Sequence, residues 1–240
     1  MREIYMNREE QVKRILLMPI VSSKSVKGIT LAKRYDKDSE FILSEQKYNN
    51  NVDEDMSEIA IEFYKVIYHV NILNEDGSLR NDQYAGDTMN SYSQITSRVT
   101  SSESKKNEWF EAYHCLANFW ILPMDVGRKG ITKISKSKVS RDYMDGFLKI
   151  LKERFDDYKS KYPKYFQTME KIEDFYKFHG LEESGYVNKD IPEQITGLNL
   201  ADEGIKKMQD LMKLRANFLA QKYMNELFGL FIKYGLISDK

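Results

Sequence analysis

Cysteine is almost missing from this chain of 240 residues: Cys115 stands alone. A single thiol excludes an intramolecular disulfide and a cysteine-based zinc cluster, which suits a reducing compartment. Histidine is scarce as well. His69, His114 and His179 lie far apart, and none has a second histidine four residues on, so a three-ligand zinc site is unsupported. No apolar run approaches the ~18 residues that span a bilayer. The first fourteen residues carry charges throughout and lack a secretory apolar core, so a cytoplasmic protein without a membrane segment is expected. Net charge is absent too: 37 basic residues balance 37 acidic ones, so any nucleic-acid role has to be local. Walker, GxGxxG, GxSxG, HExxH and CxxC patterns do not occur.

What is present is material for a core. Aromatic residues make up 12% of the chain and methionine contributes 11 copies, enough volume for one domain over 1–240. Within it, 1–56 reads as a small β-containing lead-in, whose polar first fourteen residues form a short helix or a frayed start, and 57–240 as a helical core. Residues 15–21 (ILLMPIV), 28–31 and 40–43 have strand length and composition. Ser57 is a good N-cap for a helix over 58–72, with Ile59, Phe63, Val66, Ile67 and Val70 on one face. Residues 78–104 read as a long polar loop with at most one short helix. A buried helix is expected over 104–122, stopped by Pro123, although a strand over 118–122 is an alternative.

Further helices are expected from Ser140 and from Pro163. The first has a face of Tyr143, Phe147, Leu148, Leu151, Phe155 and Tyr158; the second carries Phe166, Met169, Ile172, Phe175 and Tyr176 and ends at His179-Gly180. The last helix sustains an apolar face from Ile205 to Tyr234 and ends at Gly235. Interrupted only by Gly229, it would run ~45 Å. The expected fold is mainly α, in the α+β class: a helical domain with a long C-terminal helix and a small β element near the N-terminus.

Residues 109–141 join two opposite characters. Residues 109–122 are apolar on nearly every face and hold Trp109, Trp120, Cys115 and His114. After Asp125 no acid appears until Asp142, while Arg128, Lys129, Lys133, Lys136, Lys138 and Arg141 are all basic. Lysines and serines with glycine-freed backbone amides, as in GRKG at 127–130 and KISKSK at 133–138, suit phosphate groups. A merely solvated loop weighs about equally. On a helix, His114 and Asn118 would share a face, and with Asp87 and Asn90 could bind a divalent metal or orient a phosphate. The commoner fate, buried polar groups satisfied by the backbone, weighs more. Cys115 sits among Leu116, Phe119 and Trp120, the setting of an inert core thiol rather than a nucleophile.

The order FYKVIYHVNILNEDG (63–77), GDTMNSYSQ (86–94), YHCLANFWILPMDVGRKG (113–130) and DYMDGFLKIL (142–151) resembles an uncharacterised bacterial family, a domain of unknown function. That family has a YH..GNF.LLP block after a D-T-[IM]-N block. The block at Tyr113-His114, Leu116-Ala117-Asn118 and Leu122-Pro123 is also similar to part of the HNH-type nuclease domains of modification-dependent restriction systems. Here Ala117 replaces the usual glycine, residues 86–90 contain no histidine, and Arg128 or Lys136 stands near the expected downstream asparagine. This second likeness implies a degenerate nuclease, with His114, Asn118 and Asp87 as its catalytic residues and magnesium or manganese as its metal.

Three functions are therefore expected in competition. The first is a nucleic-acid-associated protein of a bacterial or phage cytoplasm, in defence or counter-defence, binding through residues 126–141. The second is a non-catalytic interaction module whose C-terminal helix, 201–235, docks a protein partner or a second copy. The third is an enzyme on a small phosphorylated substrate.

Overall fold

The computed structural model describes residues 7–20, 57–70, 84–89, 112–123, 144–183 and 202–237, with Asp55, Ser104 and Glu108. Among these are seven helices and one two-stranded antiparallel sheet, a mainly α, α+β architecture.

Helix α1 (Arg8–Leu16) starts at Asn7, whose side-chain oxygen accepts the Glu10 N–H at 2.8 Å. Glu9 and Glu10 in its first turn and Lys13 and Arg14 in its last complement the helix dipole. Val12, Ile15 and Leu16 form its buried face. The strand expected at 15–21 is thus replaced at its start by a capped helix, because the 3.6-residue pattern begins earlier, in the polar lead-in. The strands expected at 28–31 and 40–43 lie outside the described residues. Helix α2 (Glu58–Tyr68) begins at Ser57 as expected, the hydroxyl accepting the Ala60 N–H.

Strand β1 (Tyr84–Thr88) pairs with β2 (Phe119–Pro123), Asp87 opposite Trp120 and Thr88 opposite Phe119. β1 corrects the sequence reading, and β2 decides between its two alternatives. β1 falls in the stretch expected to be loop, and β2 occupies the end of the expected buried helix, where the strand alternative holds. The segment before β2 is a bend at 113–115 and a 3-10 turn, Leu116–Asn118. The reason is burial on two sides. Phe119 and Ile121 enter one hydrophobic cluster, while Trp120 and Leu122 enter another with Met89. A strand covered on both faces shows a continuous apolar run, which periodicity cannot tell from a buried helix.

Helices α3 (Met144–Glu153) and α4 (Phe155–Lys161) carry Phe147, Leu148, Leu151, Phe155 and Tyr158 into the second cluster, in the expected phase. Turns occupy 163–168, and α5 (Ile172–Phe178) is shorter than the expected run from Pro163; Phe166 is buried from the turns and Met169 from the residue after them. Its end is as expected. Gly180 adopts φ +63°, with Gly180 N–H on Lys177 O and Leu181 N–H on Tyr176 O, the double bond of a glycine-stopped helix.

The C-terminal run is α6 (Asp202–Lys222) and α7 (Met224–Lys233), which ends at Gly235. The interruption is at Tyr223 (φ −120°, ψ 29°), not at Gly229, which lies inside α7. Tyr223 N–H still reaches Leu219 O and Leu227 N–H reaches Tyr223 O, so the chain bends without losing these bonds. The bend lets both α6 and α7 pack on α1, and α7 on α2. Cluster one joins α1, α2, α6, α7 and the 3-10 turn; cluster two joins α3, α4 and α5. Phe178 packs against both.

Candidate functional site

The ribbon gathers two of the three expected catalytic residues. Asp87 is 4% exposed on β1, and its Oδ1 accepts the Thr88 N–H at 2.8 Å. Asn118 is fully buried in the 3-10 turn. Its carbonyl accepts the Met89 N–H at 2.8 Å, one rung beyond the ladder, so Asp87 and Asn118 belong to the same end of the ribbon. Its side-chain Nδ2 donates to Tyr113 O at 2.7 Å, which fastens the bend. His114 is half-buried with its ring against Tyr113, and its carbonyl accepts the Ile20 N–H at 2.7 Å. The shared helical face that paired His114 with Asn118 is absent, since residues 113–118 are a bend and a 3-10 turn. Arg128, Lys129, Lys133, Lys136, Lys138 and Asn90 lie outside the described residues. Among those described, no group of three His, Cys, Asp or Glu side chains is placed to hold a metal ion.

Cys115 is buried, with Sγ 4.0 Å from Met212 Sδ. Burial pushes its thiol up to about 12, leaving negligible thiolate near neutrality. It is a core residue.

The densest polar chemistry lies where the sequence reading did not place it. Arg215 is 0% exposed on α6. Its Nη1 donates to Ala117 O and to Phe119 O, both at 2.7 Å, and Nη2 donates to the Tyr68 hydroxyl at 3.1 Å. Tyr68 is also 3.0 Å from His179 Nδ1, and His179 Nε2 is 2.9 Å from the Tyr165 hydroxyl, which donates to Ile121 O at 2.9 Å. This chain ties α6, α2, the end of α5, the turns before it and β2. Three oxygens meet the guanidinium, none of them a carboxylate. Burial, with the Arg215 charge nearby, holds His179 well below its ordinary 6.5, so the imidazole is neutral. Burial likewise pushes the Tyr68 phenol up to about 12.

A cleft bordered by Tyr68, Phe178, His179, Gly180, Phe218 and Tyr223 reaches the edge of this chain. It has room for about one water molecule. Lys222 crosses the Phe218 and Tyr223 rings at 5.0 and 5.5 Å.

One signal in the sequence marks this network. Arg215 follows Leu211 by four residues and precedes Leu219 by four, so it lies on the apolar stripe of α6. A cation on a core face needs internal acceptors. No family model, curated protein or solved structure matches the chain.

Proposed function

We propose that this protein associates with nucleic acid through the phosphate backbone, using residues 126–141, and that it acts by binding rather than by cutting. The observation that carries the reading is where the two flanks of the basic segment pack. β2 ends at Pro123 and α3 begins at Met144. Both flanks enter the same hydrophobic cluster, where the Trp120 and Phe147 rings meet edge to face at 5.6 Å between centroids. The stretch of sequence that carries Arg128, Lys129, Lys133, Lys136, Lys138 and Arg141, with no acid among them, therefore leaves and re-enters one hydrophobic cluster. Such cations recognise phosphate without reading sequence.

Binding without cleavage is supported by what Asp87 and Asn118 do. Asp87 is buried beside a backbone N–H, and Asn118 spends its amide on fastening the bend at 113–118. On this reading the block that resembles HNH-type nucleases serves as a frame, and magnesium or manganese belongs only to the cleaving alternative. The setting proposed is a bacterial or phage cytoplasm, in defence or counter-defence. Among the described residues no helix is long and apolar enough to cross a membrane.

A partner or second copy docking on 201–235 is less well motivated. The apolar stripe of α6 and α7 is covered by this chain's own α1, α2 and 3-10 turn, and Leu214, 44% exposed, is the exposed large hydrophobic residue among those described.

The test is binding of labelled duplex and single-stranded DNA and RNA at low salt, with a parallel cleavage assay in magnesium and manganese. Binding without cleavage is expected. Wild-type protein that ignores all four probes would remove the reading.

A further inference from the structure

Hydrogen positions along the buried chain follow from the arrangement that makes every bond at once. Arg215 can only donate, so the Tyr68 oxygen accepts from Nη2 and the Tyr68 proton points to His179 Nδ1. His179 Nδ1 is then an acceptor, and its proton sits on Nε2. Nε2–H donates to the Tyr165 oxygen, which leaves the Tyr165 proton for Ile121 O. Every link has one donor and one acceptor, and reversing the direction would take the Tyr165 proton away from Ile121 O.

A second proton on His179 has no place in this arrangement. It would turn Nδ1 into a second cationic donor on the Tyr68 oxygen, beside Arg215, and would take away the acceptor of the Tyr68 proton. The groups that meet His179 offer no compensating charge. Tyr68 comes from α2, Tyr165 from the turns before α5, and Arg215 from α6, whose guanidinium repels an imidazolium. Trp120 of β2 and Phe175 and Phe178 of α5 present only rings, at 5.4, 4.4 and 5.0 Å between centroids.

We propose that His179 is an acid-released latch: as the neutral Nε2–H tautomer it fastens the end of α5 to α2 and β2, and protonation frees that end while α6 stays packed. The position supports a local release. His179 is the last residue before the glycine stop of α5, and it lines the small cleft that Phe178 and Gly180 form with Phe218 and Tyr223. The held state is the neutral one. The unfolded chain takes up a proton first as pH falls, so the latch's contribution is full above about pH 6.5 and declines below it.

The experiment follows the ring nitrogens of His179 by NMR in the full-length protein labelled at histidine, with hydrogen exchange of assigned amides, from about pH 8 to about pH 4. The expected results are an Nε2–H tautomer at neutral pH and, on acidification, at least tenfold loss of protection at Gly180 and Leu181 before any loss at Leu219 in α6. In His179→Gln that separation should vanish. If this variant does not fold, Tyr68→Phe, which removes the proton that opposes imidazolium, should move the release to higher pH. An Nδ1–H tautomer, an imidazolium at pH 7, or simultaneous loss of protection at all three amides would overturn the proposal.

Discussion

Gly180 and Phe218 leave no room for a side chain between them: a Cβ on Gly180 would lie 2.4 Å from Phe218 Cε1. The same glycine has φ +63°, so an alanine there is strained as well as crowded. Gly235 shares the left-handed backbone (φ +69°) but has nothing within 4 Å, and Gly229 has open space inside α7. The three sites separate the effects. Gly180→Ala should destabilise by about 2–4 kcal/mol and Gly235→Ala by about 1–2 kcal/mol, the left-handed strain alone. Gly229→Ala should stabilise by about 0.5–1 kcal/mol, from helix propensity. Urea unfolding of the three variants checks the order; equal losses at 180 and 235 would show that Phe218 moves freely.

Arg215 anchors the buried polar chain. Arg215→Ala strips the charged donors from Ala117 O, Phe119 O and the Tyr68 hydroxyl at once. Loss of about 3–5 kcal/mol is expected, because buried acceptors are left unmade around a cavity. Adding Tyr68→Phe should cost much less in the Arg215→Ala background than alone, since the two share a bond. Additive losses in a double-mutant cycle would mean that the residues act separately.

Cys115 should report unfolding and nothing else. Its thiol is buried and pushed up to about 12. Alkylation of the native protein should therefore proceed at the rate of opening and speed up in denaturant. Rapid labelling in native buffer would contradict the burial.

Much of the fold was legible because several elements announce themselves twice. Ser57 sits where a side-chain oxygen caps a helix, and Gly180 and Gly235 sit where helices stop. Phe147, Leu148, Leu151, Phe155 and Tyr158 kept helical phase even though Arg154 (φ −132°) divides α3 from α4. The ribbon was harder. β2 is apolar at each position because each face meets a different cluster, and its partner Tyr84–Thr88 contains glycine, aspartate and threonine, which read as loop. The buried polar chain was missed for another reason. Tyr68, Arg215 and the pair Tyr165 and His179 come from three distant stretches, and only Arg215 breaks a pattern in its own helix.

Truncation tests whether α6 and α7 are structural. Ile205, Met208, Met212, Leu219, Leu227 and Phe231 are all buried against the rest of the chain, each worth about 1.5–3 kcal/mol. Deleting residues 201–240 should yield insoluble protein without a cooperative melt. Leu219→Ala should cost roughly 2–5 kcal/mol. Lys159→Ala, which loses a largely exposed pair with Glu170, should cost at most about 1 kcal/mol. A soluble, cooperatively melting truncation would assign the two helices to assembly.

The most direct test of the nucleic-acid reading is the slope of log affinity against log salt, for wild type and for a variant with Arg128, Lys133, Lys136 and Lys138 all replaced by alanine. Each phosphate contact contributes about 0.9 to that slope on duplex and about 0.7 on single strands. The variant should bind more weakly, with a slope shallower by up to about 3.6 on duplex and an unchanged melting temperature. Equal affinity and slope in the two proteins would contradict the claim that residues 126–141 carry the binding.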